Sequence, residues 1–157
     1  MDQSIIPTQH PDPWVNRTRY YAASAVWTLA RHGVRIHRSW LDPSHPRDIT
    51  ILFTGLTGTA IPTDMHALVW DEETGWRQGR FESGRPGVRT RLVDATHIGG
   101  GVVPTPPEVA RRAIAGVSVA ARRYRSHADW RDGIDDTLWR EAEVAELAEL
   151  AWCDTRY

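Results

Sequence analysis

The sequence predicts an α+β fold: an N-terminal helix, a five-stranded, mainly antiparallel meander sheet, and two C-terminal helices. Three observations lead there. Apolar residues recur at helical spacing from Trp14 to Leu29 and again after Thr105. Between these segments lie five short runs rich in Val, Ile, Thr and Trp, bounded by Gly, Pro or Asp. The connections are mostly short, which suits antiparallel neighbours, because parallel strands need long crossovers.

Asp12-Pro13 supplies an N-cap and a proline at the first helical position. Trp14, Tyr21, Ala25, Val26 and Leu29 follow at helical spacing, and Gly33 stops the helix after Arg31 and His32, giving a helix over 14–32. VRIHRSWL (34–41) alternates as a strand with Val34, Ile36, Arg38 and Trp40 on one side, ended by Asp42-Pro43. DITILF (48–53) carries Ile49, Ile51 and Phe53 at period two, and GLTGTAIPT (55–63) reads as a loop. MHALVW (65–70), DEETG (71–75) and WRQGRF (76–81) form a hairpin in which Trp70 and Trp76 pair across the strands, with Gly75 at a left-handed turn position. VRTRLVDATHI (88–98) is the fifth strand. Helices over 106–125 and 129–152 close the chain, the second with Ile134, Leu138, Ala142, Ala145 and Trp152 along one face.

A chain of 157 residues fits one domain with a real hydrophobic core. Residues 1–12, polar and proline-containing, read as a flexible N-terminal segment, 13–125 as the α+β core, and 126–157 as an acidic helix packing on that core. Residues 105–125 hold five arginines against Glu108, whereas 126–157 hold nine carboxylates against three arginines. Pairing of the two helices accounts for the near-neutral total, with Arg111 and Arg122, and Arg112 and Arg123, on common stripes three helical turns apart.

Composition excludes several functions. The formal net charge is -1, so a nucleic-acid partner has no electrostatic footprint. No apolar run is long enough to span a membrane and no leader peptide precedes the helix, so the expected location is cytoplasmic. All nineteen basic residues are arginine, which removes lysine Schiff-base and P-loop chemistry. Cys153 is the only cysteine and lacks a disulfide or metal-ligand partner. The stretch THIGGGVVPTPPEVARR (96–112) has contiguous rather than spaced glycines, and they are separated from the helix by VVPTPP. Thr105, Pro106 and Glu108 form a capping-box arrangement that puts a carboxylate where an anion would sit. No cofactor or metal is expected.

Two groups of residues are left as candidates. His66 and His97 lie on strands with Asp64 and Asp94 nearby in sequence, and an imidazole titrates near neutrality. Trp40, Trp70 and Trp76 could line one sheet face with His66, as a pocket wall or partner surface, while core packing accounts for Trp14, Trp27 and Trp139.

HALVWDEETGW (66–76) and IGGGVVPTPPEVARRA (98–113) resemble an uncharacterised family of small actinomycete proteins, a domain of unknown function. The likeness covers residues 14–120 and implies the N-terminal helix, the tryptophan hairpin and the Gly-Gly passage through prolines into a helix; it assigns chemistry to no residue. The acidic segment 126–157 and the loops at 42–48 and 55–63 are additions to that pattern. The helix–meander–helix order is also similar to secretion-chaperone-like and sensory-transduction proteins, which bind protein partners as dimers, an analogy of fold alone. The expected function is therefore non-enzymatic: a cytoplasmic binding or regulatory protein with a partner-protein surface, its partner another protein or a second copy of itself. The alternative is a small cofactor-independent enzyme of specialised metabolism, using His66 or His97 as acid–base groups to cyclise, isomerise or hydrolyse a hydrophobic small molecule. A closed apolar pocket with an inward histidine and carboxylate would favour the enzyme, and a filled core with an apolar surface patch the binding protein.

Overall fold

Asp12 opens the helical layer as expected: its carboxylate accepts a 2.9 Å bond from the Trp14 amide, with Pro13 at the first helical position. The computed structural model describes residues 5–43, 45–55, 64–129 and 131–142. The expected single helix is divided into α1 (Pro13–Asn16) and α2 (Arg19–Arg31). The break falls at Thr18, whose hydroxyl and amide both donate to Val15 O, at 2.8 and 3.1 Å, tightening the turn before the α-helical pattern resumes. Gly33, at φ 84°, ends α2 in the left-handed region. Within the segment 1–12 read from sequence as a flexible lead, residues 5–7 are docked: Ile6 is buried against Ala23 and Ala142, and Pro7 O accepts from Arg19 Nε at 2.8 Å.

Strands β1 (Arg35–Asp42), β2 (Asp48–Thr54), β3 (His66–Asp71), β4 (Gly75–Arg85) and β5 (Val88–His97) form one antiparallel sheet in chain order, the meander that short links dictate. The register of β1 slips between Ile36 and Arg38, leaving His37 as the extra residue of a bulge. Ile36 pairs with Phe53, but Ser39 pairs with Ile51 and Leu41 with Ile49, so the core-facing set changes from even to odd numbers along the strand. Trp40 is thereby turned away from Val34 and Ile36, a correction to the simple alternation read from the sequence.

One sheet face packs against the helices. Ile49, Ile51, Phe53, Leu68, Trp70 and Trp76 share a buried cluster with Tyr21, Ala25, Val26 and Leu29 of α2 and with Val109, Ala110 and Ala113 of α3 (Pro106–Ala115). Trp70 and Trp76 sit opposite each other in register. Trp70 Nε1 donates to Val102 O at 2.6 Å, Trp76 Nε1 donates to Tyr21 Oη at 3.0 Å, and Tyr21 Oη donates to Pro104 O at 2.5 Å. The indole pair thus latches the segment leading into α3 onto the sheet. Burial pushes the Tyr21 hydroxyl far above its ordinary range. Replacing Tyr21 with Phe strands two buried polar groups, and a loss of about 1–3 kcal/mol is expected from the urea midpoint.

The other face is crossed by the β4–β5 hairpin itself. Thr90 Oγ1 lies 2.8 Å from Thr50 Oγ1 of β2, and the Gly87 amide donates to Asp42 Oδ1 of β1 at 2.9 Å. The sheet can curl this tightly because β4 has no side chain at its bend: a Cβ on Gly79 would meet Val93 O at 2.9 Å.

α3 is capped by Thr105, whose hydroxyl accepts from the Glu108 amide at 3.2 Å. It stops at Gly116, in the left-handed region at φ 68°. The expected helix over 106–125 is thus cut short, and an isolated antiparallel bridge joins Val119 to His97. The arginine stripes do not form: Arg111 and Arg112 pair with Glu108 of their own helix, and the later arginines lie beyond it. α4 (Ile134–Glu141) puts Ile134 and Leu138 into the core. Ala145, Trp152 and Cys153 lie outside the described residues.

Candidate functional site

The three tryptophans expected to share a surface do not. Trp70 and Trp76 are 0% and 1% exposed inside the helix-covered face. Trp40, turned over by the bulge, is buried on the opposite face and donates from Nε1 to Asp42 Oδ2 at 3.2 Å. His66 and His97 are also separated. His66, opposite Arg80 on the helix-side face, has Nδ1 3.0 Å from Asp64 O and shares a polar concavity with Asp64, Arg80 and Asp94. His97 pairs with Arg77 on the other face, and its Nδ1 is buried with no hydrogen-bond partner among the described residues. Asp94 sits in a bulge at φ 54°, an uncommon conformation for a residue with a side chain. The fold therefore joins His66 with both aspartates but leaves His97 out.

The triple-glycine bend has a structural role. Gly99, Gly100 and Gly101 run at φ 75°, 89° and 88°, a uniform sign rather than the alternation that builds an anion nest. A Cβ on Gly75 would come within 2.6 Å of Gly101 O, so the bend passes directly against the β3–β4 turn. Arg112 fills the bend's inner side, donating to Ile98 O at 3.1 Å.

A buried ionic network organises the opposite end of the molecule. Glu72, in the β3–β4 turn, accepts from Arg47 Nε at 3.0 Å, from Arg47 Nη2 at 3.1 Å and from the Arg47 amide at 2.7 Å. Arg125 Nη1 adds a fourth bond at 3.0 Å, and Arg125 also pairs with Asp132. Burial opposes the Arg125 charge, but Asp132 and Glu72 outweigh it and raise its pKa, while Arg125 holds Asp132 below the ordinary carboxylate range. Arg47 Nη2 reaches Asp135 at 2.8 Å, Asp135 takes Arg17 at 2.9 Å, and the Arg47 guanidinium lies 4.4 Å from the Trp14 ring centroid. Among the described residues of the acidic segment, Asp132 thus pairs with Arg125, the last residue of the basic segment 105–125, and Asp135 with Arg17 and Arg47 elsewhere in the fold.

That network fixes an outer face made by α1, the first turn of α2 and α4. A cleft of about 440 Å³ is lined by Trp14, Arg17, His45, His127, Ala128 and Asp135. A groove of about 470 Å³ beside it is lined by Pro13, Asn16, Arg17, Tyr20, Asp135, Asp136 and Trp139. Both include Arg17 and Asp135, so their ion pair forms the ridge between them. In the cleft, Trp14 stacks on His45 at 5.3 Å, and His127 Nδ1 lies 3.1 Å from Glu73 Oε2. Burial would raise the Glu73 pKa, yet bonds from the His127 amide, Arg123 and the His127 ring bring it down to about 2. In the groove, Tyr20 and Trp139 meet edge to face at 5.2 Å and 79°. Trp139 is 56% exposed. Core packing is the expected account of Trp14, Trp27 and Trp139; Trp14 and Trp27 are partly buried against the core clusters, and Trp139 departs from the expectation. The signal against it lies in α4 itself: Ile134 and Leu138 take the inward positions, so the next residue, Trp139, lies about 100° round the helix.

Among the described residues, no group of three or more His, Cys, Asp or Glu is placed to hold a metal, and no helix is long and apolar enough to cross a membrane. A model described as a family of unknown function (DUF6292) matches residues 21–115, which take in α2 from its third residue, the whole sheet and α3. α1, Tyr20 and α4 lie outside the matched span. No curated protein and no solved structure matches the chain.

Proposed function

We propose that this chain, which belongs to the DUF6292 family of unknown function, is a non-enzymatic cytoplasmic binding or regulatory protein that meets a partner protein on the face of α1, α2 and α4. The observation that carries the reading is Trp139: a tryptophan more than half exposed, edge-on to Tyr20 beside a groove. Tryptophan is the residue type most enriched at interface hot spots, where a flanking groove lets a partner exclude water from the indole. The filled core supports the same reading. Helices pack on one sheet face and the β4–β5 hairpin crosses the other, so the tryptophans proposed as a pocket wall are inside it. Acid–base chemistry takes second place because His66 lies in a polar concavity with two carboxylates and an arginine, not in an apolar enclosure suited to a hydrophobic substrate.

A photo-crosslinking amino acid introduced at position 139 tests the reading in the source cell, with position 88, an exposed site at the start of β5, as control. Discrete adducts from 139 and none from 88 are expected, whether with a second copy of the chain or with another protein. No adducts from 139, or equal adducts from both positions, would overturn the proposal.

A further inference from the structure

We infer that the groove between Tyr20 and Trp139 is the seat of a cationic side chain, an arginine or lysine, presented by the partner; this rests on the partner-binding reading above. The argument begins with the charges around the groove. Arg17, Arg47 and Arg125 are matched by Glu72, Asp132 and Asp135 in the closed network already described, three of each sign. Asp136, next along α4, lines the groove and makes no ion pair or hydrogen bond with any described residue. Arg140, one turn further, is spaced to reach it but donates instead to Thr137 Oγ1 at 3.2 Å. Arg17, the cation among the residues lining the groove, is committed to Asp135 at 2.9 Å. Among the residues lining the groove, the surplus charge is therefore one carboxylate, Asp136, and it stands beside two aromatic rings.

That combination selects a cation. An indole attracts an ammonium or guanidinium group over its face within about 6 Å of the ring centroid. Asp136 adds a charge partner, while the Tyr20 and Trp139 rings cover the aliphatic stem. An anionic residue would meet Asp136 at close range, and a purely apolar one would leave that carboxylate desolvated without a partner.

The test is an NMR titration of the full chain, following the Trp139 indole N–H resonance, assigned through Trp139→Phe. The probes are N-acetyl-arginine amide, N-acetyl-lysine amide and the uncharged arginine isostere N-acetyl-citrulline amide. At least one cationic probe should shift the Trp139 signal saturably, with affinity about two- to fivefold above citrulline. Asp136→Asn, which removes the charge and keeps the side chain's shape in the first turn of α4, should remove that preference. Equal response to arginine, lysine and citrulline amides, no response to any of them, or a cation preference that survives Asp136→Asn would overturn the inference. Adducts from position 139 with failed titrations would end the cation seat and keep the partner surface; titrations that succeed without adducts would leave a cation-binding groove and overturn its assignment to a partner protein.

Discussion

Replacing Glu72 with Gln is expected to cost about 3–5 kcal/mol of folding free energy, read from urea denaturation. Glu72 and Arg47 are both essentially inaccessible, with side chains 1% exposed. Removing one charge leaves the other desolvated with only part of its hydrogen bonding, which is why breaking a buried pair costs far more than a surface pair is worth. Arg47 feels the loss most, because two of its side-chain nitrogens and its amide all donate to Glu72. The effect should also be directional: Arg125 loses its Glu72 bond, so amide exchange over 125–129 should accelerate more than exchange in β3. Replacing both partners with apolar residues, Arg47→Met with Glu72→Leu, should restore much of the lost stability, since no lone buried charge remains between them. A cost below about 1 kcal/mol for Glu72→Gln would show that the network does not hold the α1–α4 face in place.

The second large effect concerns pH. Asp48 stands between Asp42 and Asp71 on neighbouring strands, and neither of its carboxylate oxygens has a hydrogen-bond partner among the described residues. Arg89, in the hairpin that crosses this face, is its nearest cation at 3.6 Å. Burial, only partly offset by Arg89 and Arg77 and reinforced by Asp71 and Asp42, raises the Asp48 pKa from 3.8 to about 7. Because the folded value lies above the unfolded one, the unfolded state loses its proton first as pH rises. Stability should therefore fall between about pH 4 and pH 7 and level off above that. Asp42 is also raised, chiefly by burial, and adds to the same slope. Glu73 acts oppositely: its value of about 2 stabilises the fold above its ordinary 4.5, a contribution lost as pH falls toward 2. Asp48→Asn should remove most of the decline between pH 4 and 7, a gain of as much as about 4 kcal/mol at pH 8. Parallel stability curves for Asp48→Asn and the native chain would contradict this account of the hairpin face.

The elements that could be read from the sequence are those set by local chemistry. Asp12-Pro13 and Thr105-Pro106 mark helix starts because capping needs only a few adjacent residues, and the Trp70–Trp76 pair followed from a short turn that fixes its own register. The failures need information from across the fold. One extra residue at His37 leaves an alternating sequence looking unchanged, yet it sends Trp40 to the other face. Gly116 stands inside the helix expected over 106–125 and ends it in the left-handed region, once the chain turns there to bring Val119 beside His97. Glu72 looks like a solvated turn residue in DEETG until Arg47 and Arg125 arrive from elsewhere in the chain. The Arg17–Asp135 ridge joins positions 118 residues apart, beyond any pattern of local spacing.

The most direct measurement of the partner surface is tryptophan oxidation by hydroxyl radicals, compared between the purified chain and the chain in its cell. Trp139 should be oxidised readily in the purified protein and be markedly protected in the cell, with Trp70 and Trp76 nearly unreactive in both. Equal oxidation of Trp139 in the two settings would contradict the claim that this face is covered by a partner.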